Sequence, residues 1–192
     1  MIYENNIDGG GNMNINLTAK EKMLLEDQKK HEELCIQKYS KYENLASDQQ
    51  LKNIFINNAQ IEREHLNTIN QLLSGQVPST SNQQNSQQQM QSQQNMQNQN
   101  MQFQQMKSQQ PMQQSSSVSS QTSFMSSQNS DKELCSDILM TEKFVSGAYD
   151  TAIFEFKDSQ VRNVLNHIQK EEQQHGESVF KYMESKGMYT LK

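Results

Sequence analysis

Twice in the chain a glutamate is followed three residues later by a histidine, in IEREHL at 61–66 and in EEQQHG at 171–176. Three residues is close to one helical turn, so Glu62 with His65, and Glu172 with His175, place a carboxylate and an imidazole on one helix face. Thirty residues ahead of each pair stands another glutamate, Glu32 and Glu142. Carboxylate oxygen and imidazole nitrogen together suit iron or manganese, with zinc as a competitor. A lone Glu-x-x-His occurs often by chance on a solvated helix. Two copies, each at the same distance from a further glutamate, carry far more information.

The elements that must position these groups come in two pairs. Thr18 with Glu21, and Ser130 with Glu133, read as capping boxes opening the first and third helices. Asp48 and Asp158 stand where N-caps open the second and fourth, and Gly75 and Gly187 where glycines close them. The expected helices are 19–46, 49–75, 131–156 and 159–186. A shift of 110 positions superimposes the halves without a gap, Tyr39 on Tyr149, Asp48 on Asp158, Glu62 on Glu172 and His65 on His175, so the chain is a duplicated helical hairpin. The expected organisation is a tail over 1–17, hairpin one over 18–75, a linker over 76–129 and hairpin two over 130–189.

Each helix also shows a seam spaced alternately three and four. The seams run Leu25, Gln28, Glu32, Cys35, Tyr39 in the first helix and Leu51, Phe55, Asn58, Glu62, His65, Ile69 in the second. They run Cys135, Ile138, Glu142, Val145, Tyr149 in the third and Val161, Leu165, Ile168, Glu172, His175, Val179 in the fourth. Every seam has its carboxylate near the middle, so a closed bundle brings the four to one level.

Four carboxylates in a water-poor interior repel one another and cost several kcal/mol each in lost hydration. Two divalent cations balance that charge. One Glu from each of two helices plus Glu-x-x-His from each of the others is the donor composition of di-iron and di-manganese carboxylate bundles. Resemblance to such bundles implies that Glu62 and Glu172 bridge two ions while Glu32 and Glu142 are terminal. The alternative is a copied polar layer holding only hydrogen bonds, water or protonated carboxyls. Tyr39 and Tyr149, two turns beyond Glu32 and Glu142, are placed to hydrogen-bond ligand carboxylates or to fill the core. His31, His167, Glu64 and Glu171 fall off the seams and read as solvated.

Composition narrows the classes further. The stretch 76–129 holds 20 Gln, 13 Ser and one charged residue, Lys107, too little apolar surface to offset the entropy of ordering. It reads as disordered, a crossover long enough to run the length of a bundle, the single long connection of ferritin-like folds. Hairpins pairing with other chains are the other arrangement such a linker allows. Five methionines between Met90 and Met112 read as drift in a low-complexity tract rather than soft metal ligands. Net charge is −5 with no basic stripe, which excludes an electrostatic case for nucleic acid or a membrane surface. No segment approaches a membrane span, and MIYENN has no secretory character. Cys35 and Cys135 read as buried small thiols.

The wording of LMTEKFVSGAYDTAIFEF at 139–156 and HIQKEEQQHGESVFKYMESKGMY at 167–189 resembles the Coat F family of spore coat proteins. EKMLLEDQKKHEELCIQKY at 21–39 and AQIEREHLNTINQLL at 59–73 are similar to the partner hairpin of such proteins. The resemblance implies an all-α, ferritin-like four-helix bundle made in the mother-cell cytoplasm and deposited in the spore coat. It also implies other coat proteins, or further copies of the chain, as partners. Two functions fit: a structural coat protein with a dinuclear metal site, or an iron or manganese oxidase or peroxide-consuming enzyme that protects the spore.

Overall fold

The computed structural model describes residues 15–78 and 118–189, the side chains of 118–129 excepted. Four helices carry these residues: α1 (Ala19–Leu45), α2 (Gln49–Leu73), α3 (Val118–Glu155) and α4 (Ser159–Ser185). The hairpins α1–α2 and α3–α4 belong to one compact unit, Met1–Pro78 with Ser123–Lys192. Ser79–Thr122 is a separate unit, described only where α3 begins.

Local chemistry sets most of the helix ends. Thr18 and Glu21 form the expected capping box at α1, and Asp48 and Asp158 accept backbone N–H groups at the starts of α2 and α4. Gly75 and Gly187 adopt φ of 86° and 67°, a left-handed conformation that glycine enters without a side-chain clash. Beyond each, a backbone N–H turns back to the helix, Gln76 to the carbonyl of Gln71 at 2.9 Å and Met188 to that of Met183 at 2.8 Å.

One boundary differs from expectation. α3 begins at Val118, so Ser130 and Glu133 lie inside a helix rather than at its start. No glycine or proline falls between Val118 and Ser130 to stop a helix there, and a capping sequence alone does not create an end. The rest of the proposed linker, 79–117, with its methionines, and the first fourteen residues lie outside the described residues. From Ile15 onward the chain is tied down: Ile15 N–H donates to the Gly75 carbonyl at 2.8 Å, and Ile15 and Leu17 pack against the core.

The duplication is visible in how the hairpins join. Asp131, 3 % exposed, accepts the N–H groups of Ser47 and Asp48 at the α1–α2 turn, at 2.7 and 3.1 Å. Its repeat-mate Glu21 accepts the N–H of Lys157 at the α3–α4 turn, at 2.8 Å. Each hairpin thus caps the turn of the other, at opposite ends of the bundle. Between these ends Lys38 donates to Asp137 at 2.7 Å and to Thr141 at 2.8 Å, so α1 and α3 run antiparallel. Asn58 with Ser178 at 3.3 Å, and Lys186 with Asp48 at 2.7 Å, show the same for α2 and α4.

The order is therefore up, down, down, up. α2 ends at one end of the bundle and Asp131 lies at the other, about 40 Å away at 1.5 Å per residue. The core between them is built from the expected seams, with Leu25, Phe55, Ile138, Val145, Leu165 and Ile168 fully or almost fully buried. Each such side chain contributes about 1.5–3 kcal/mol. Cys35 and Cys135 are free and buried among them.

Candidate metal centre

The level of the bundle that would otherwise hold apolar residues holds Glu32, Glu62, His65, Glu142, Glu172 and His175, none more than 3 % exposed. They form two overlapping sets whose ligand atoms lie within 4.8 Å of one another: Glu32, Glu62, His65 and Glu172, and Glu62, Glu142, Glu172 and His175. Glu62 and Glu172 belong to both.

The imidazoles face the carboxylates through Nδ1. His65 Nδ1 lies 3.0 Å from Glu172, 3.4 Å from Glu62 and 3.5 Å from Glu32. His175 Nδ1 lies 3.0 Å from Glu62, 3.6 Å from Glu172 and 4.0 Å from Glu142. The two rings stack with centroids 5.7 Å apart. Both oxygens of Glu172, one oxygen each of Glu32, Glu62 and Glu142, and His65 Nδ1 are buried without a well-directed hydrogen bond, close as they lie to one another. Buried polar atoms left unpaired in such number cost about 1–3 kcal/mol each. They also form the oxygen and nitrogen donor set that two divalent cations accept, so the residues fit such ions.

Two tyrosines hold the outer carboxylates, and they do so across the hairpins. Tyr39 of the first donates to Glu142 of the second, and Tyr149 of the second donates to Glu32 of the first. Asn58 Nδ2 donates in turn to Tyr39 Oη at 3.1 Å. Both phenols are fully buried, and burial, then the carboxylates beside them, pushes their pKa values well above the ordinary phenol range.

The carboxylates divide by environment. Burial, and then the charge of Glu172, pushes Glu32 and Glu142 well up. Burial works the same way on Glu62 and Glu172, but the adjoining imidazoles hold both below the usual range. Burial opposes charge on His65 and His175, yet the carboxylates around each ring raise both.

Glu171 departs from the sequence reading. It is 8 % exposed rather than solvated, and its Oε2 takes the second ring nitrogen of His65 at 2.9 Å. His167, half-buried, lies 3.4 Å from the same oxygen. His31 is also half-buried, against Gln28 and the Phe144 ring, whereas Glu64 is exposed as expected. The repeat-mate of Glu171 is Ile61, so the arrangement has no counterpart at His175, whose Nε2 is buried without a partner. The clue available in the sequence was chemical: an imidazole that gives one nitrogen to a cation needs an acceptor for the other.

No curated protein and no solved structure matches the chain. Residues 130–192 match the family model described as the Coat F domain. Those residues span the described Asp131 cap, Glu142, Tyr149, Glu171, Glu172 and His175, so it is the second hairpin that is similar to the Coat F domain.

Proposed function

We propose that the chain is a structural spore coat protein whose bundle, ferritin-like in its helix order, holds two divalent ions of iron or manganese. One ion sits among Glu32, Glu62, His65 and Glu172, the other among Glu62, Glu142, Glu172 and His175, with Glu62 and Glu172 shared. The observation that carries this reading is the pair of overlapping buried donor sets with their unpaired oxygens. Ions there neutralise carboxylates that the fold brings together, and Tyr39, Tyr149 and Glu171 orient three of the six donors. The Coat F match supports the location and, with it, other coat proteins or further copies as partners. Among the described residues no helix is long and apolar enough to cross a membrane.

Elemental analysis of the purified chain tests the centre. About two iron or manganese atoms per chain are expected, as the shared donors require, and they are lost in Glu62→Ala and His175→Ala variants. A fully folded chain that holds no metal, and whose melting temperature ignores added iron(II) or manganese(II), overturns the reading. Detection in the extracted coat of mature spores, and not in decoated spores, checks the location.

A second reading, an oxidase or peroxide-consuming enzyme, draws on the cavity that reaches Glu142 and Glu172. Oxygen or peroxide consumption by metal-loaded protein, lost in the same variants, separates it from a purely structural centre.

A further inference from the structure

The second hairpin has an opening between its helices. Between α3 and α4 lies a cavity of about 660 Å³, with Glu142 and Glu172 among its lining residues. Leu139, Phe180 and Tyr189 give it apolar walls, and the last two pack edge to face with centroids 5.1 Å apart. Two glycines, Gly147 and Gly176, line it from within helices.

Neither glycine is needed by the backbone, since neither has positive φ. Nor does crowding demand them. A Cβ at Gly147 would meet nothing within 4 Å, and one at Gly176 would meet Glu142 Cβ at an ordinary 3.8 Å. A glycine inside a helix costs about 1 kcal/mol against alanine, so two of them lower helix stability and leave space in return. The repeat puts Gln37 and Leu66 at the matching places in the first hairpin. There Arg63 also reaches across to Ser40 Oγ on α1 at 3.4 Å.

We propose that the α3–α4 cavity binds a small uncharged aromatic molecule, with the Glu142 and Glu172 carboxylates at its inner end. A volume of about 660 Å³ is that of a small-molecule pocket, far beyond what a hydrated ion or a peroxide needs. Its walls suit a ring. Glu142, Glu172, Asp150 and Glu177 outnumber Lys143 around it, which disfavours an anion. The consequence for the ions, that the Glu142–His175 position is the one facing the ligand, rests on the metal reading; the pocket itself does not.

Indole is a suitable probe because the chain has no tryptophan, so emission excited to the red of tyrosine absorption reports on the ligand alone. Titration of indole into the full-length protein is expected to saturate with a blue-shifted emission. Gly147→Leu is expected to weaken binding about tenfold or more by filling the space. Gly176→Ala, the milder change, weakens it less, and helical circular dichroism is retained in both. Failure to saturate, or equal affinity in the wild type and both folded variants, overturns the pocket. On cobalt(II)-loaded protein, indole should also shift the visible absorption of the wild type and not of Gly147→Leu. If cobalt is not taken up while indole still binds, the metal reading fails and the pocket stands. If cobalt binds, indole binds and the spectrum does not move, the pocket does not open on the ions.

Discussion

At the scale of single residues, the six ionisable groups set how an ion would enter. Burial and the Glu172 charge push Glu32 and Glu142 up, toward the protonated acid, the carboxylates around them push His65 and His175 up, toward imidazolium, and the imidazoles hold Glu62 and Glu172 down, toward carboxylate. Divalent ions bind the charged carboxylates and the neutral imidazoles. Loading divalent ions therefore releases protons, and apparent affinity falls as pH falls. An indicator dye in weak buffer measures the release, and a count near zero contradicts the exchange. The two positions are also unequal, because Glu171 fixes His65 while His175 has no such acceptor. Glu171→Gln should weaken one ion by about 10–100-fold and spare the other, read as a two-step loss to a chelator. That these six side chains gather at one buried level was legible in the sequence because they sit on the seams and repeat. Glu171 was not, because it lies one residue off the seam and faces isoleucine in the repeat, so both signals pointed away from it.

At the scale of the helices, stability depends on a few carboxylates at turns. Asp131 is the acceptor for two N–H groups of the α1–α2 turn, and Asp131→Ala leaves both without it. A loss of about 1–3 kcal/mol is expected, seen as a lower midpoint in urea with an unchanged slope. Acid should act at the same ends. Burial would raise Glu21 and Asp48, but the Lys157 and Thr18 N–H groups on the one, and Lys186 with the Gln50 N–H on the other, hold both below their ordinary values. A depressed folded-state pKa gives stability that is complete above the ordinary carboxylate range and is lost as pH falls through the folded values. The melting temperature of metal-free protein should therefore drop below about pH 4, and less so in Glu21→Gln, which starts lower. The caps of α1, α2 and α4 were readable because Thr, Asp and Gly act on their own neighbours. The start of α3 and the cross-hairpin role of Asp131 were not, since one depends on the absence of a stop signal and the other on a partner more than eighty residues away in the chain.

At the scale of the whole molecule, the duplication divides the centre so that neither half owns it. The first donor set takes Glu32, Glu62 and His65 from one hairpin and Glu172 from the other; the second takes Glu142, Glu172 and His175 from one and Glu62 from the other. The tyrosines and the turn-capping carboxylates cross in the same reciprocal way. A hairpin by itself would expose its apolar seam and would hold only three of the six donors, with one of the two shared carboxylates. Chains 1–78 and 118–192, made separately, should each bind iron(II) or manganese(II) weakly. Mixed, they should regain a helical bundle and its ions. Joining them in one chain supplies a local concentration in the millimolar range, so the mixture should need far more protein than the intact chain to reach the same occupancy. Titration of one piece into the other, followed by metal content and circular dichroism, measures this. If either piece alone takes up metal as tightly as the full chain, the ions do not lie between the hairpins, and the shared roles of Glu62 and Glu172 fall with that result.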